Sequence, residues 1–195
     1  MIRPFDSALG ASLAARRLRP LLFPAVAVAA LLVARPALAG PPLVCFPFDI
    51  GTARSLPMGA RGWESIDPAY SVSHLVDDTL ALLAPETPVL VRMETLRRAT
   101  IYASKNPTVA TALLNALKER AAVPRATAPL AVFDFGYLVE TYRQAKPIFS
   151  TPMTAIDQID GYQLVLKAQA MQQDDTMARA AKLIAGGQPR VTAAK

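Results

Sequence analysis

Residues 87–122 read TPVLVRMETLRRATIYASKNPTVATALLNALKERAA, and the way they divide decides the fold. Thr87-Pro88 and Asn106-Pro107 are one start signal used twice, 19 residues apart. In each, a side-chain oxygen can accept an orphan backbone N–H, and a proline suits the first helical position. After the first signal, Val89, Met93, Leu96, Thr100 and Ala103 recur at the spacing of one helix face. Glu94 and Arg98 are then expected to pair at i,i+4 on the outer face. After the second signal, Ala110, Leu113, Leu114, Leu117 and Ala121 form the inner stripe of a helix reaching about Ala122. Two helices joined by so short a polar turn make an antiparallel hairpin.

The pattern continues on both sides. Upstream, Ser71 or Ser73 can cap a helix running to Ala84 with Val72, Val76, Leu80 and Leu83 on one face, and Pro85 ends it. Downstream, Pro124 to Pro129 is a break, followed by a helix over about Leu130–Ala145 with Val132, Phe135, Leu138, Val139 and Tyr142 as its stripe. Gly136 lies inside that helix, where it costs about 1 kcal/mol against alanine; a close helix crossing would explain it. Lys146 to Thr154, with Pro147 and Pro152, reads as a loop. Asp160, or an earlier turn at Thr154, opens a fifth helix (Tyr162, Val165, Leu166, Gln169), and Asp174 opens a sixth (Met177, Ala181, Ile184) closed by Gly186-Gly187.

The expected fold is therefore all-α, with five or six helices as antiparallel hairpins over residues 71–187 and a flexible tail at 188–195. The helix pairs resemble tetratricopeptide-type hairpins, with small residues where helices would cross. The resemblance is one of packing and not of family, because the 34-residue period is missing. Phe135-Gly136-Tyr137 and Asp160-Gly161-Tyr162 stand 25 residues apart, and their flanks do not align.

Residues 40–70 follow neither helical nor strand periodicity. Pro41, Pro42, Pro47, Pro57 and Pro68, with Gly51, Gly59 and Gly62, stop helices and cannot serve central strands. Leu43, Phe46, Phe48, Ile50, Leu56 and Trp63 make the segment too apolar for a free linker. The expectation is an extended strap laid over the helices.

Residues 1–39 have the layout of a cleavable secretory signal. Arg16-Arg17-Leu18-Arg19 precedes the apolar run Leu21–Ala34, and Ala37-Leu38-Ala39 supplies a small-residue cleavage site before Gly40. Fourteen apolar residues interrupted by Pro24 fall short of the roughly 20 needed for a span. Val44 is too large for a lipid-attachment site before Cys45, and the residues after Arg16-Arg17 match a twin-arginine signal poorly. The expected location is outside the cytoplasm, in the periplasm or the medium, with no stable membrane span after cleavage.

Charge and cysteine content narrow the function. The whole chain carries +6, but residues 1–39 hold five of its 21 basic side chains and one of its 15 acidic ones, leaving 16 against 14. A balance of +2 provides no concentrated basic face, so nucleic acid is not an expected partner. A single cysteine, Cys45, excludes an internal disulfide and multi-cysteine zinc.

Few groups could carry chemistry. His74 stands three and four residues from Asp77 and Asp78, so one helix face could bring an imidazole and two carboxylates together, and with Cys45 they could bind zinc or copper. The alternative is a solvated helix N-terminus, where acids suit the dipole. Cys45 with His74 could also form a nucleophilic pair, while the apolar company of Cys45 fits a buried small hydrophobe. Gly51-Thr52-Ala53-Arg54-Ser55 could make an anion-binding turn. Arg92, Arg97 and Arg98 with Glu94 read as a solvated charged face. Phe133 and Tyr137, four apart and off the main stripe, mark a second buried face or a partner groove. The leading expectation is a non-catalytic exported interaction or scaffold protein, with another protein as partner and no cofactor. The competing expectation is a metal-binding protein or enzyme using Cys45, His74, Asp77 and Asp78.

Overall fold

A computed structural model describes residues 41–124, 127–150 and 154–187. The expected signal at 1–39 and the tail at 188–195 lie outside the described residues. Six α-helices, and no strand among the described residues, pack on one another. They are α1 (Leu75–Leu82), α2 (Val89–Ala103), α3 (Pro107–Ala122), α4 (Ala128–Phe149), α5 (Gly161–Gln172) and α6 (Asp175–Gly187). Single 3-10 turns, Val72–His74 and Thr154–Ile156, precede α1 and α5. The central element is α4, against which α2, α3 and α5 all pack; α6 covers α5, and α1 packs on α2 and α3.

Three helix starts follow side-chain capping. Asn106 Oδ1 accepts from the Val109 N–H at 3.2 Å, Asp160 Oδ1 from the Gln163 N–H at 3.0 Å, and Asp174 Oδ1 from the N–H groups of Thr176 and Met177. Thr87 departs from expectation. Its hydroxyl donates to the Leu82 carbonyl at 2.9 Å, so it finishes α1 and leaves α2 without a side-chain cap. Ser71 and Ser73 likewise bond to each other at 2.7 Å rather than cap α1.

The loop expected from Lys146 begins later. Helix α4 runs on through Pro147 to Phe149, and Ser150, with φ of 51°, closes it in the left-handed region. Pro147 lacks an N–H, but Ile148 and Phe149 pack against Val44, Ile101 and Ala145, and that burial holds the last turn. Pro129 lies in the first turn of α4, where no intrahelical N–H is required.

The crossing expected at Gly136 is present, and its counterpart is Gly161. A Cβ on Gly136 would lie 2.7 Å from both the Gly161 carbonyl oxygen and Leu164 Cβ. A Cβ on Gly161 would lie 2.5 Å from the Gly136 carbonyl oxygen. The two aromatic-flanked glycines thus let α4 and α5 approach backbone to backbone. Phe133 and Tyr137 are fully buried with rings stacked at 5.5 Å, forming a second buried face and not an open groove.

The largest departure from one-sided amphipathicity is α2. Its buried residues include Arg92, Glu94, Thr95 and Arg97 alongside Met93, Leu96, Ala99 and Tyr102. One face meets α4. The opposite face is covered by residues 43–67, which contain neither helix nor strand and contribute the buried side chains Leu43, Val44 and Leu56.

Candidate interaction site

The charged residues of α2 form a buried polar seam. Glu94 is fully buried and pairs with Arg97 (Nε to Oε2, 2.8 Å) and with Arg98 (Nε to Oε1, 2.7 Å). The i,i+4 pair foreseen on the outer face exists, but it lies beneath residues 43–67. The solvated-face expectation fails because that segment supplies a second cover.

What these side chains hold is main chain. Glu94 Oε2 accepts from the Phe48 N–H at 3.0 Å. Arg97 Nη1 donates to the carbonyls of Val44 and Trp63, each at 3.1 Å, and Arg98 Nη1 to that of Leu56 at 2.6 Å. Tyr102 donates its hydroxyl to the Pro57 carbonyl at 2.8 Å and accepts from the Asp67 N–H at 3.0 Å. Gln144 of α4 accepts from the Leu43 N–H at 2.8 Å. Proline-rich chain makes no ladder of its own, so its carbonyls are satisfied by donors from the helices. Burial raises the Glu94 carboxyl, but the Arg97 and Arg98 guanidiniums and the Phe48 N–H outweigh it and hold it below the usual carboxylate value.

A second buried ion pair secures the other end of α2. Arg92 Nη1 meets Asp134 Oδ2 at 2.6 Å with both side chains fully buried. The same guanidinium donates to the carbonyls of Thr87, Leu83 and Ala84, and Arg120 of α3 donates to those of Leu80 and Leu83. Two cations thus satisfy the orphan carbonyls at the C-terminal end of α1. Burial raises the Asp134 carboxyl to about 6, with the nearby Arg92 and Arg120 charges only partly offsetting it.

Between these two anchored regions lies an open cleft of about 570 Å³. Residues 53–57 form one wall; α1 and the α1–α2 turn form the other. Its lining mixes Leu56, Pro57 and Val91 with the charged Arg54, Asp78 and Glu86. Asp78 accepts from the Tyr70 hydroxyl at 2.7 Å; burial, and then that bond, push the phenol well above its ordinary value.

The candidate metal set does not assemble. His74 and Asp77 are exposed at the start of α1, and Asp78 is engaged by Tyr70. Cys45 lies in the covering segment, next to Val44, whose carbonyl Arg97 holds, and burial raises its thiol. Among the described residues no group of three His, Cys, Asp or Glu side chains converges to hold a metal ion. Helical spacing placed His74 and its acids on one short element, but the strap delivers Cys45 to α2 instead. The anion-turn reading of Gly51–Ser55 also gives way. Asp49 Oδ1 accepts from the Gly51 N–H at 3.0 Å, so a carboxylate already occupies the turn, and Gly51 supplies its φ of 55°.

Neither the seam nor the cleft was visible as a motif. The signal that could have found the seam is the scatter of Val89, Leu90, Val91, Met93, Leu96 and Ile101 around all sides of α2, the mark of a helix covered on both faces. Among the described residues no helix is long and apolar enough to cross a membrane. No family model, no characterised protein and no solved structure matches the chain.

Proposed function

We propose that the chain is an exported, non-catalytic interaction domain that holds a segment of a partner protein in the cleft between residues 53–57 and α1. The observation supporting this reading is the cleft itself. Its volume of about 570 Å³ falls in the range of ligand-sized sites, and its lining combines apolar surface with a few charged groups. Its walls are pre-organised: Ser55 is bonded to Thr95 at 2.9 Å, Leu56 and Pro57 are held by Arg98 and Tyr102, and the far wall is fixed by Arg92. A wall that need not be ordered on binding lowers the cost of association.

The test is a photo-crosslinking side chain placed at Ala81 in the cleft and, separately, at exposed Lys167 on α5, with the chain expressed from Met1. A discrete adduct from Ala81 that is absent from Lys167 and abolished by Ala53→Arg is expected. Identical adduct patterns from the two positions refute the cleft. The same preparations test export: protein recovered from the cell envelope or medium is expected to start at Gly40, and protein retaining Met1 in the cytoplasm refutes that part.

A further inference from the structure

We infer, on the basis of the cleft reading proposed above, that the segment held there is an extended peptide carrying a lysine or arginine. Its main chain pairs with residues 54–56, and its cation meets Asp78 and Glu86.

The two walls of the cleft differ in kind. Residues 53–59 run without helix, turn or bend. Ser55 and Leu56 turn their side chains to the helices, the first bonded to Thr95 at 2.9 Å and the second 1% exposed. Arg98 and Tyr102 hold the carbonyls of Leu56 and Pro57. The N–H groups of Arg54, Ser55 and Leu56 and the carbonyls of Ala53, Arg54 and Ser55 make no hydrogen bond among the described residues. A stretch of main chain that is fixed in place and unpaired is a template for an added strand. Because it is already ordered, pairing with it costs the receptor little.

The α1 wall has no such edge. The carbonyls at its C-terminal end, which would otherwise be open, are taken by Thr87, Arg92 and Arg120. What this wall presents is negative charge. Asp78 engages one oxygen with the Tyr70 hydroxyl, which sets an aromatic ring beside the carboxylate. Glu86 is exposed and has no ion pair among the described residues. A carboxylate beside an aromatic ring suits a cation. Arg54 stands on the opposite wall, so charge is divided across the cleft and a basic side chain is directed to α1. An acidic segment would meet two carboxylates against one guanidinium. Ala53, Ala81 and Ala84 keep the lining between these charges small and apolar, which leaves room for a backbone to approach.

The experiment selects short peptides of random sequence from a display library on the chain expressed from Met1, with Ala53→Arg as the counter-target. Peptides retained by the parent and lost on Ala53→Arg are expected to carry a lysine or arginine between apolar residues. The tightest is then synthesised and measured by calorimetry, with circular dichroism confirming that each variant keeps its helices. Asp78→Asn, which keeps an acceptor for Tyr70, combined with Glu86→Gln is expected to weaken binding about tenfold. N-methylation of the peptide main chain beside the cation is expected to weaken it about tenfold, and Arg54→Ala to tighten it about threefold. Retained peptides that are acidic or neutral, or that bind equally after N-methylation or after loss of both acids, overturn the extended basic segment and leave the cleft standing. Peptides retained equally by the parent and Ala53→Arg, or none retained at all, overturn the cleft and the basic segment with it. Self-association of the parent that Ala53→Arg abolishes assigns the cleft to a second copy and overturns the basic segment.

Discussion

Replacing Gly136 with alanine sets two effects of known sign against each other. In the interior of a helix, alanine is favoured over glycine by about 1 kcal/mol. The added methyl would, however, lie 2.7 Å from Leu164 Cβ and from the Gly161 carbonyl oxygen, and 3.0 Å from the Val165 nitrogen. None of these is the end of a flexible side chain. Restoring a carbon–carbon separation near 3.5 Å pushes α5 outward by about 0.8 Å, and overpacking of this kind costs ~1–3 kcal/mol. With the larger part of that range applying to backbone contacts, the expected net loss is about 1–2 kcal/mol, a fall of roughly 2–8 °C in Tm for a chain of this size. Gly161→Ala should cost more. Its methyl meets the Gly136 carbonyl at 2.5 Å, Glu140 Oε1 at 2.8 Å and Val139 Cβ at 2.9 Å, and it lies at a helix start where propensity returns little. The double variant should lose less than the two single losses combined, because one outward shift relieves both. Gly186→Ala, where a Cβ meets nothing within 4 Å, is the control and should be neutral or slightly stabilising. Thermal melts of residues 40–195 measure all four. A Gly136→Ala midpoint at or above that of the parent chain would refute the close crossing.

Other predictions concern the seam. Glu94→Gln leaves two guanidiniums against a buried neutral amide and should cost about 3–5 kcal/mol, measured by urea unfolding; a loss under about 1 kcal/mol is what a surface pair would give and would contradict the burial. Of the three perturbed carboxyls, Asp134 and Glu140 are raised by burial and Glu94 is lowered, so they give opposite pH dependences. Asp134, raised by burial to about 6, binds a proton more readily when folded, so stability rises as pH falls from 6 towards its ordinary 3.8. Glu94, held below its ordinary 4.5, contributes fully above that value and loses its contribution as pH falls through the lower, folded value. Urea midpoints taken from pH 7 to pH 3 should therefore hold or rise before they fall, with Glu94→Gln blunting the fall; a steady decline from pH 7 would contradict the Asp134 assignment. Trp63, half-buried with its ring 6.1 Å from that of Phe149, should shift its emission to the red on unfolding.

Much of this architecture was legible because local rules govern it. Asn106, Asp160 and Asp174 announce three helix starts by side-chain chemistry that needs no tertiary partner. Gly136 stood out because a helix interior tolerates glycine poorly unless another backbone comes close. The main error has a tertiary cause. Assigning Glu94, Arg97 and Arg98 to solvent assumed that a helix has one covered face, and periodicity within α2 cannot show that residues 43–67 return to cover the other. Thr87 carried the right side chain for a cap, but its hydroxyl found the Leu82 carbonyl first. Pro147 ended the expected helix early because Ile148 and Phe149 draw their stability from Val44 and Ile101, far away in the chain. The cleft follows from the same covering segment, so no spacing rule could anticipate it.

The seam also imposes an order on how the chain acquires its structure. Leu43 waits for Gln144, a separation of 101 residues, and Phe48 waits for Glu94, 46 residues on. Residues 43–67, which precede α1–α6 in the chain, are thus among the last to find their place, since α4 must exist before Leu43 has an acceptor. Closing so long a loop is slow relative to forming the local hairpins. Until it closes, Leu43, Val44 and Leu56 are in water, and the charges on α2 lack the main chain they will later hold. The interval between helix formation and closure is the period in which this chain is most open to aggregation, and a holding factor acting then would need to recognise only residues 43–67.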